Sequence, residues 1–211
     1  FPVIAGNQNQ KEEIKKILRK SITTSTYCIF PCMTGIAVCA EPLVRLLYTE
    51  KWIAMVPCLQ LWCFCFAFYL WHTANLQVIQ ALGRSDIFLK IEIIKQFLSL
   101  GGILLSAPFG VLAMLTATCI VAVISLYINA RPNVRLAGYG FWEQIKDVSP
   151  IICLNLLMGI AVYLVGCIAM PDMIKLIVQI LTGAAIYIGG SFVIKLEIFN
   201  YLFETVKELV R

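Results

Sequence analysis

Asp86, Lys90, Glu92 and Lys95 fall within ten residues of one another, in a stretch that is otherwise mostly apolar as far as Ser106. Each charge in such a setting needs a reason, because a charged side chain at the centre of a bilayer costs roughly 2.5–3.5 kcal/mol on insertion scales. Asp86 and Lys90 stand i,i+4 and Glu92 and Lys95 stand i,i+3, so on a helix each pair can neutralise itself. At 1.5 Å rise per residue, Lys95 sits about 13 Å along the axis from Asp86. Two uses fit this pattern. The charges form a hydrophilic stripe lining a water-filled cavity open to the cytoplasm, or they snorkel and hold a structural ion pair between helices.

A second polar group lies just upstream. Thr73, Gln77 and Gln80 recur at i, i+4, i+7, and His72 with Asn75 forms an adjacent strip. Such a face can hydrogen-bond sugar hydroxyls, or it can bond neighbouring helices at about 0.6 kcal/mol per contact. His72 is the sole histidine and a candidate proton-coupling group, though no partner carboxylate is in reach by sequence. Glu41 and Arg45, followed by Glu50-Lys51-Trp52, read as an interfacial anchor. Gly101-Gly102, Gly183 and Gly189-Gly190 allow close helix approach.

Other chemistries find no support. There is no nucleophile–base–orienter set, no glycine-rich phosphate loop and no HExxH. The nine cysteines include no CxxC and have one histidine to join them, so neither a metal site nor a cofactor is expected. They read as packing residues in reduced surroundings. An enzyme is disfavoured; its remaining form is a membrane acyl- or glycosyltransferase whose catalytic half lies outside this sequence. The net charge of +5 does not point to nucleic acid, because the basic residues sit in short loops and at helix ends.

The elements that must position these side chains follow from hydropathy. The chain is 60% apolar and 14% charged, with a mean hydropathy of +0.86. A hydrocarbon core about 30 Å thick takes a helix of about 20 apolar residues. Six such stretches occur, roughly 21–47, 54–82, 85–108, 111–131, 148–170 and 173–194. Pro31 and Gly35 are expected to interrupt the first. Around the spans lie a basic amphipathic lead-in (1–20), an interfacial loop (132–147) with Tyr139, Phe141 and Trp142 as aromatic anchors, and an amphipathic tail (195–211). The spans group as four (21–131) and two peripheral ones (148–194). The lead-in, the 83–90 turn, the 131–146 loop and the tail hold five, two, three and three lysines and arginines, thirteen in all; the alternate gaps hold three. This asymmetry predicts both ends in the cytoplasm. The expected fold is an all-α polytopic transmembrane bundle. A start at Phe1 with no Met reads as the C-terminal part of a longer protein.

Three segments carry a specific resemblance. Phe1-Pro2-Val3-Ile4 before a basic helix start, Glu50-Lys51-Trp52 with Pro57 and Gln60-Leu61, and Asn75 followed by Ala81-Leu82-Gly83-Arg84-Ser85-Asp86 are similar to segments of the oligosaccharide flippases. These form the polysaccharide transporter branch of the MOP superfamily. The likeness is clearest over 1–95, and Thr49 departs from the glycine that the family usually has in the outer turn.

The resemblance implies a bacterial cytoplasmic-membrane protein of two lobes, of which this chain is part of the second, with a partial MOP-type fold. The implied activity is moving an undecaprenyl-diphosphate-linked oligosaccharide from the inner to the outer leaflet by alternating access. Implied partners are that lipid-linked oligosaccharide, membrane lipids, the N-terminal lobe of the same protein and the polysaccharide polymerase machinery. Its implied cavity residues are Arg84, Lys90, Glu92 and Lys95 with His72, Asn75 and Gln80, the cations offsetting the charge of the head group; the alternative for Arg84 is to hold the cytoplasmic turn through Asp86. A multidrug or cation antiporter of the same superfamily, which would need Glu92 for ion coupling, and a non-transporting membrane assembly partner are the alternatives.

Overall fold

The computed structural model describes residues 11–194 together with 198 and 199. The segment Phe1-Pro2-Val3-Ile4 and the rest of the expected tail lie outside the described residues. Among the described residues the chain is helix joined by short turns, with no strand. Helix α1 spans Lys11–Val38 and α2 spans Ala40–Tyr48. A 3-10 turn, Glu50–Met55, leads into α3 (Val56–Ala67) and α4 (Tyr69–Ala81). Then come α5 (Ser85–Ser106), α6 (Val111–Ala130), the single turn α7 (Asn133–Leu136), α8 (Phe141–Gly166) and α9 (Asp172–Ile194).

Among the described residues four helical runs are long and apolar enough to cross a membrane: Glu50–Ala81, Val111–Leu136, Phe141–Gly166 and Asp172–Ile194. The bent pair α1 and α2 makes five if it is one span. The remaining expected span is α5, whose 22 residues are long enough but whose Lys90, Glu92 and Lys95 set it apart from the apolar runs.

The core is apolar but holds several amides, and the exterior is apolar as well, unlike that of a water-soluble protein. Asn75, Asn129, Asn133, Gln144 and Ser191 are fully buried, while Leu105, Val193, Phe97 and Phe192 face outward. Lipid rewards this arrangement, because tails are as apolar as leucine and amides gain by bonding between helices. Helix α1 is central, lying against α8 on one side and α3 and α4 on the other. Helix α9 lies outside α8, and α6 bridges α3 and α4 to α5 at the opposite edge. Ile14, Leu18 and Ile22, one helical turn apart, enter the main core with Trp71, Val78, Tyr139 and Val148.

Proline did not act where the sequence suggested. α1 runs unbroken through Pro31 and Gly35, and the chain instead bends by 68° at Cys39. Pro31 lacks the N–H that would bond the Tyr27 carbonyl. The Tyr187 hydroxyl, from α9, donates to that carbonyl at 2.8 Å, and the Tyr27 hydroxyl donates to Ser191 Oγ at 2.9 Å. At the bend it is Pro42 that cannot donate to the Val38 carbonyl and whose ring crowds it. In α8, Pro150 leaves the Lys146 carbonyl free, and the Ser149 hydroxyl takes it at 2.8 Å. This helix begins at Phe141, so the expected interfacial loop is shorter than 132–147 and its first part forms α7.

Substituting Tyr187→Phe is expected to destabilise the fold by about 1–2 kcal/mol, because the Tyr27 carbonyl is then buried without a partner. In a Pro31→Ala background the helix supplies its own N–H, so the same substitution costs less. A detergent-unfolding comparison of the four proteins reads the difference.

Thr49, where the resembled segment has glycine, adopts φ 77° and ψ 167°. That region is essentially reserved for glycine and costs a branched residue about 1–3 kcal/mol. Its carbonyl still accepts from Trp52 N at 3.2 Å, closing the turn before α3. Thr49→Gly should therefore raise stability by roughly 1 kcal/mol after the added chain entropy is deducted. An unfolding midpoint equal to or below that of the unsubstituted protein counts against this strain.

Candidate functional site

The turn Gly83-Arg84-Ser85-Asp86 closes α4 and opens α5. Gly83 has φ 68°, donates to Gln80 O at 3.0 Å, and the next N–H, of Arg84, reaches back to Ile79 O at 3.1 Å. This is a Schellman closure, whose left-handed position favours glycine. It releases Arg84 to donate twice to Asp86, Nε to Oδ1 and Nη2 to Oδ2, both at 3.0 Å. Those hydrogen bonds hold the exposed Asp86 carboxyl down at about 2. The partner of Asp86 is thus Arg84, and Lys90, expected to pair with it, is exposed. A planar guanidinium just outside the helix can meet both carboxylate oxygens, which a lysine one turn along cannot.

One turn further into α5 the second expected pair forms. Lys95 Nζ lies 2.6 Å from Glu92 Oε1, with the lysine side chain 18% exposed and the glutamate 41%. His72 in α4 and Lys95 in α5 each stand eleven residues from the Gly83-Arg84 turn, so both lie about 16 Å along antiparallel helices. Asn129 of α6 donates from Nδ2 to His72 Nδ1 at 3.1 Å, while its Oδ1 is buried without a partner. Three helices thereby bring a cation, a carboxylate, an imidazole and an amide to one level of the bundle. Gln80 is exposed near the turn, and Thr73 bonds back to Tyr69 O at 3.0 Å.

Asn75 is placed differently. It is fully buried and faces α8 and α7, where its Oδ1 accepts from Gln144 Nε2 and from Asn133 Nδ2, each at 2.8 Å. Its Nδ2 donates to Gln144 Oε1 at 3.0 Å, and Trp71 Nε1 donates to the same oxygen at 2.7 Å. The result is an amide lock joining α4, α7 and α8. Beside it Tyr139, expected as an interfacial anchor, is fully buried and donates to Asp147 Oδ2 at 2.7 Å. Asp147 also accepts from Arg19 Nη2 at 2.6 Å, and Lys15 pairs with Glu143 at 2.7 Å. Burial, then the bond to Asp147, pushes the Tyr139 phenol well above its usual range. Trp142, 77% exposed, keeps the anchor position.

Sequence reading passed over Asn129, Asn133 and Gln144. The usable signal was the i,i+4 spacing of Asn129 and Asn133 at the end of a run with almost no other amide. Of the glycines, Gly183 and Gly190 face α8 closely: a Cβ would lie 3.2 Å from Val162 at the first and run into Leu154 at the second. Gly101 and Gly189 face open space. Among the described residues no three His, Cys, Asp or Glu side chains gather to hold a metal ion.

Comparison with known proteins agrees with the resemblance. A family described as "Polysaccharide biosynthesis protein" matches residues 1–57. An uncharacterized membrane protein in the cps region of Klebsiella pneumoniae is 23% identical over 205 residues, 92% of this chain and 40% of that protein. The lipopolysaccharide biosynthesis protein WzxC of Escherichia coli (strain K12) is 26% identical over 137 residues, 63% of this chain and 28% of its own length. The chain thus spans less than half the length of the curated relatives it matches. No solved structure is a significant match. Taken with the apolar exterior, these likenesses make the chain a multi-pass membrane protein that is similar to polysaccharide-biosynthesis membrane proteins.

Proposed function

We propose that the protein to which this chain belongs moves an undecaprenyl-diphosphate-linked oligosaccharide from the inner to the outer leaflet of the bacterial cytoplasmic membrane. A diphosphate and a glycan cannot enter hydrocarbon without losing the hydrogen bonds of water. The observation that carries the reading is Lys95: a largely buried cation in α5, level along the helices with His72, in a chain similar to polysaccharide-biosynthesis membrane proteins. Glu92 neutralises it, so a phosphate can replace the carboxylate without leaving an unpaired lysine charge. Arg84, Lys90 and Gln80, exposed around the turn that opens α5, would meet the head group on entry, and His72 with Asn129 would offer polar contacts further along the helices. Alternating access then follows from rocking of this lobe against the rest of the protein, with the basic turns and both ends of the segment on the cytoplasmic side.

The test is reconstitution of the full-length protein in vesicles carrying a fluorescent undecaprenyl-diphosphate oligosaccharide on one leaflet. Protein-dependent appearance of the glycan on the other leaflet, read with a membrane-impermeant quencher, is the expected result. Transfer no faster than in protein-free vesicles rejects the reading.

A further inference from the structure

Cys65 near the end of α3 and Cys119 in the middle of α6 come from positions 54 residues apart, yet their Sγ atoms lie 2.9 Å apart. The Cys119 thiol is also within 3.4 Å of the Leu61 carbonyl on the facing helix. Both cysteines are free. A disulfide needs the sulfurs at about 2.05 Å, so closure asks for about 0.9 Å of approach. Cys119 is buried, but Cys65 is half-buried on a helix whose Trp62, Phe64 and Phe66 face outward. The pair is therefore reached from the bilayer rather than from water.

We propose that Cys65 and Cys119 form a redox-active dithiol oxidised within the bilayer by a fully substituted benzoquinone. Two S–H bonds break and one S–S bond forms. The two electrons and two protons pass to the quinone oxygens, giving the hydroquinone. Full ring substitution matters, because it leaves the quinone no unsubstituted carbon for thiol addition. The bond would tie α3 to α6, the helix that carries Asn129 and packs on the Lys95-bearing α5. This assignment does not depend on what the protein transports.

The test uses the full-length protein in membrane vesicles treated with decylubiquinone, then denatured, alkylated with a maleimide and digested for mass spectrometry. The expected result is a linked peptide pair carrying Cys65 and Cys119, the loss of those two thiols from the alkylated set, and their return on reduction with dithiothreitol. Cys65→Ser and Cys119→Ser should each abolish the linked pair and leave the remaining cysteines alkylated. Full alkylation of both residues after quinone treatment overturns the proposal. So does linkage of either one to another cysteine, or linkage produced only by a water-soluble azo oxidant.

Discussion

Lys95→Ala in the full-length protein is expected to lower surface-glycan export by about 10- to 100-fold while leaving the amount inserted in the membrane unchanged. A hydrogen bond to a charged group contributes about 1.5–3 kcal/mol, and tenfold in a rate or affinity corresponds to about 1.4 kcal/mol. The loss alone does not separate a substrate contact from a structural ion pair, because removing Lys95 also strips Glu92 of its partner at 2.6 Å. Two companions make the separation. If the pair is structural, Glu92→Gln damages stability as much as Lys95→Ala does, and replacing both residues by Met restores it. If Lys95 meets a diphosphate, Glu92→Gln keeps export, Lys95→Arg keeps most of it, and the double Met variant folds yet stays inactive. Normal export from Lys95→Ala would reduce the lysine to a packing role.

The spans and the charged helix were legible because hydropathy and short-range spacing are local properties. The Gly83 turn was legible for the same reason, since its closure uses only residues 79–86. Apart from Asp86, which pairs with Arg84 two residues away rather than with Lys90, the misreadings share one cause: partners far away in sequence. Pro31 looks like a helix breaker until Tyr187, 156 residues later, takes the carbonyl it frees; the bend comes at Cys39 instead, just ahead of Pro42. Tyr139 and Trp142 are both aromatics in a loop between spans. Which one is buried depends on Asp147 and Arg19, and Arg19 arrives from the first helix. Asn75 belongs to a polar strip that suits either a glycan or a neighbouring helix, and only the position of Gln144 shows which contacts it makes in this fold. The Glu92–Lys95 contact and the shared level of His72 follow from helix geometry, whereas Asn129 opposite them does not.

The largest loss of stability is expected at the amide lock. Asn75→Leu removes a group that gives and receives bonds from Gln144 and Asn133 and leaves their amides buried with fewer partners. An unsatisfied buried polar group costs about 1–3 kcal/mol, so the single substitution should cost roughly 3 kcal/mol with two neighbours affected. Polar contacts between membrane helices measured singly average only about 0.6 kcal/mol, since the unfolded chain in lipid also finds partners. The two magnitudes give opposite expectations for the pair. If orphaned amides dominate, Gln144→Leu is as damaging as Asn75→Leu, and the double substitution costs less than the sum, because each removes the group the other orphans. Trp71 Nε1, which also donates to Gln144, remains unpaired in both Gln144 variants and limits the recovery. If the lock matters only as a set of weak contacts, the three unfolding free energies add within about 0.5 kcal/mol and none exceeds about 1 kcal/mol. Detergent titration of the full-length protein, followed by near-ultraviolet circular dichroism of the buried Trp71, distinguishes them; additive small losses would mean that α4 is held to α8 by apolar packing rather than by these amides.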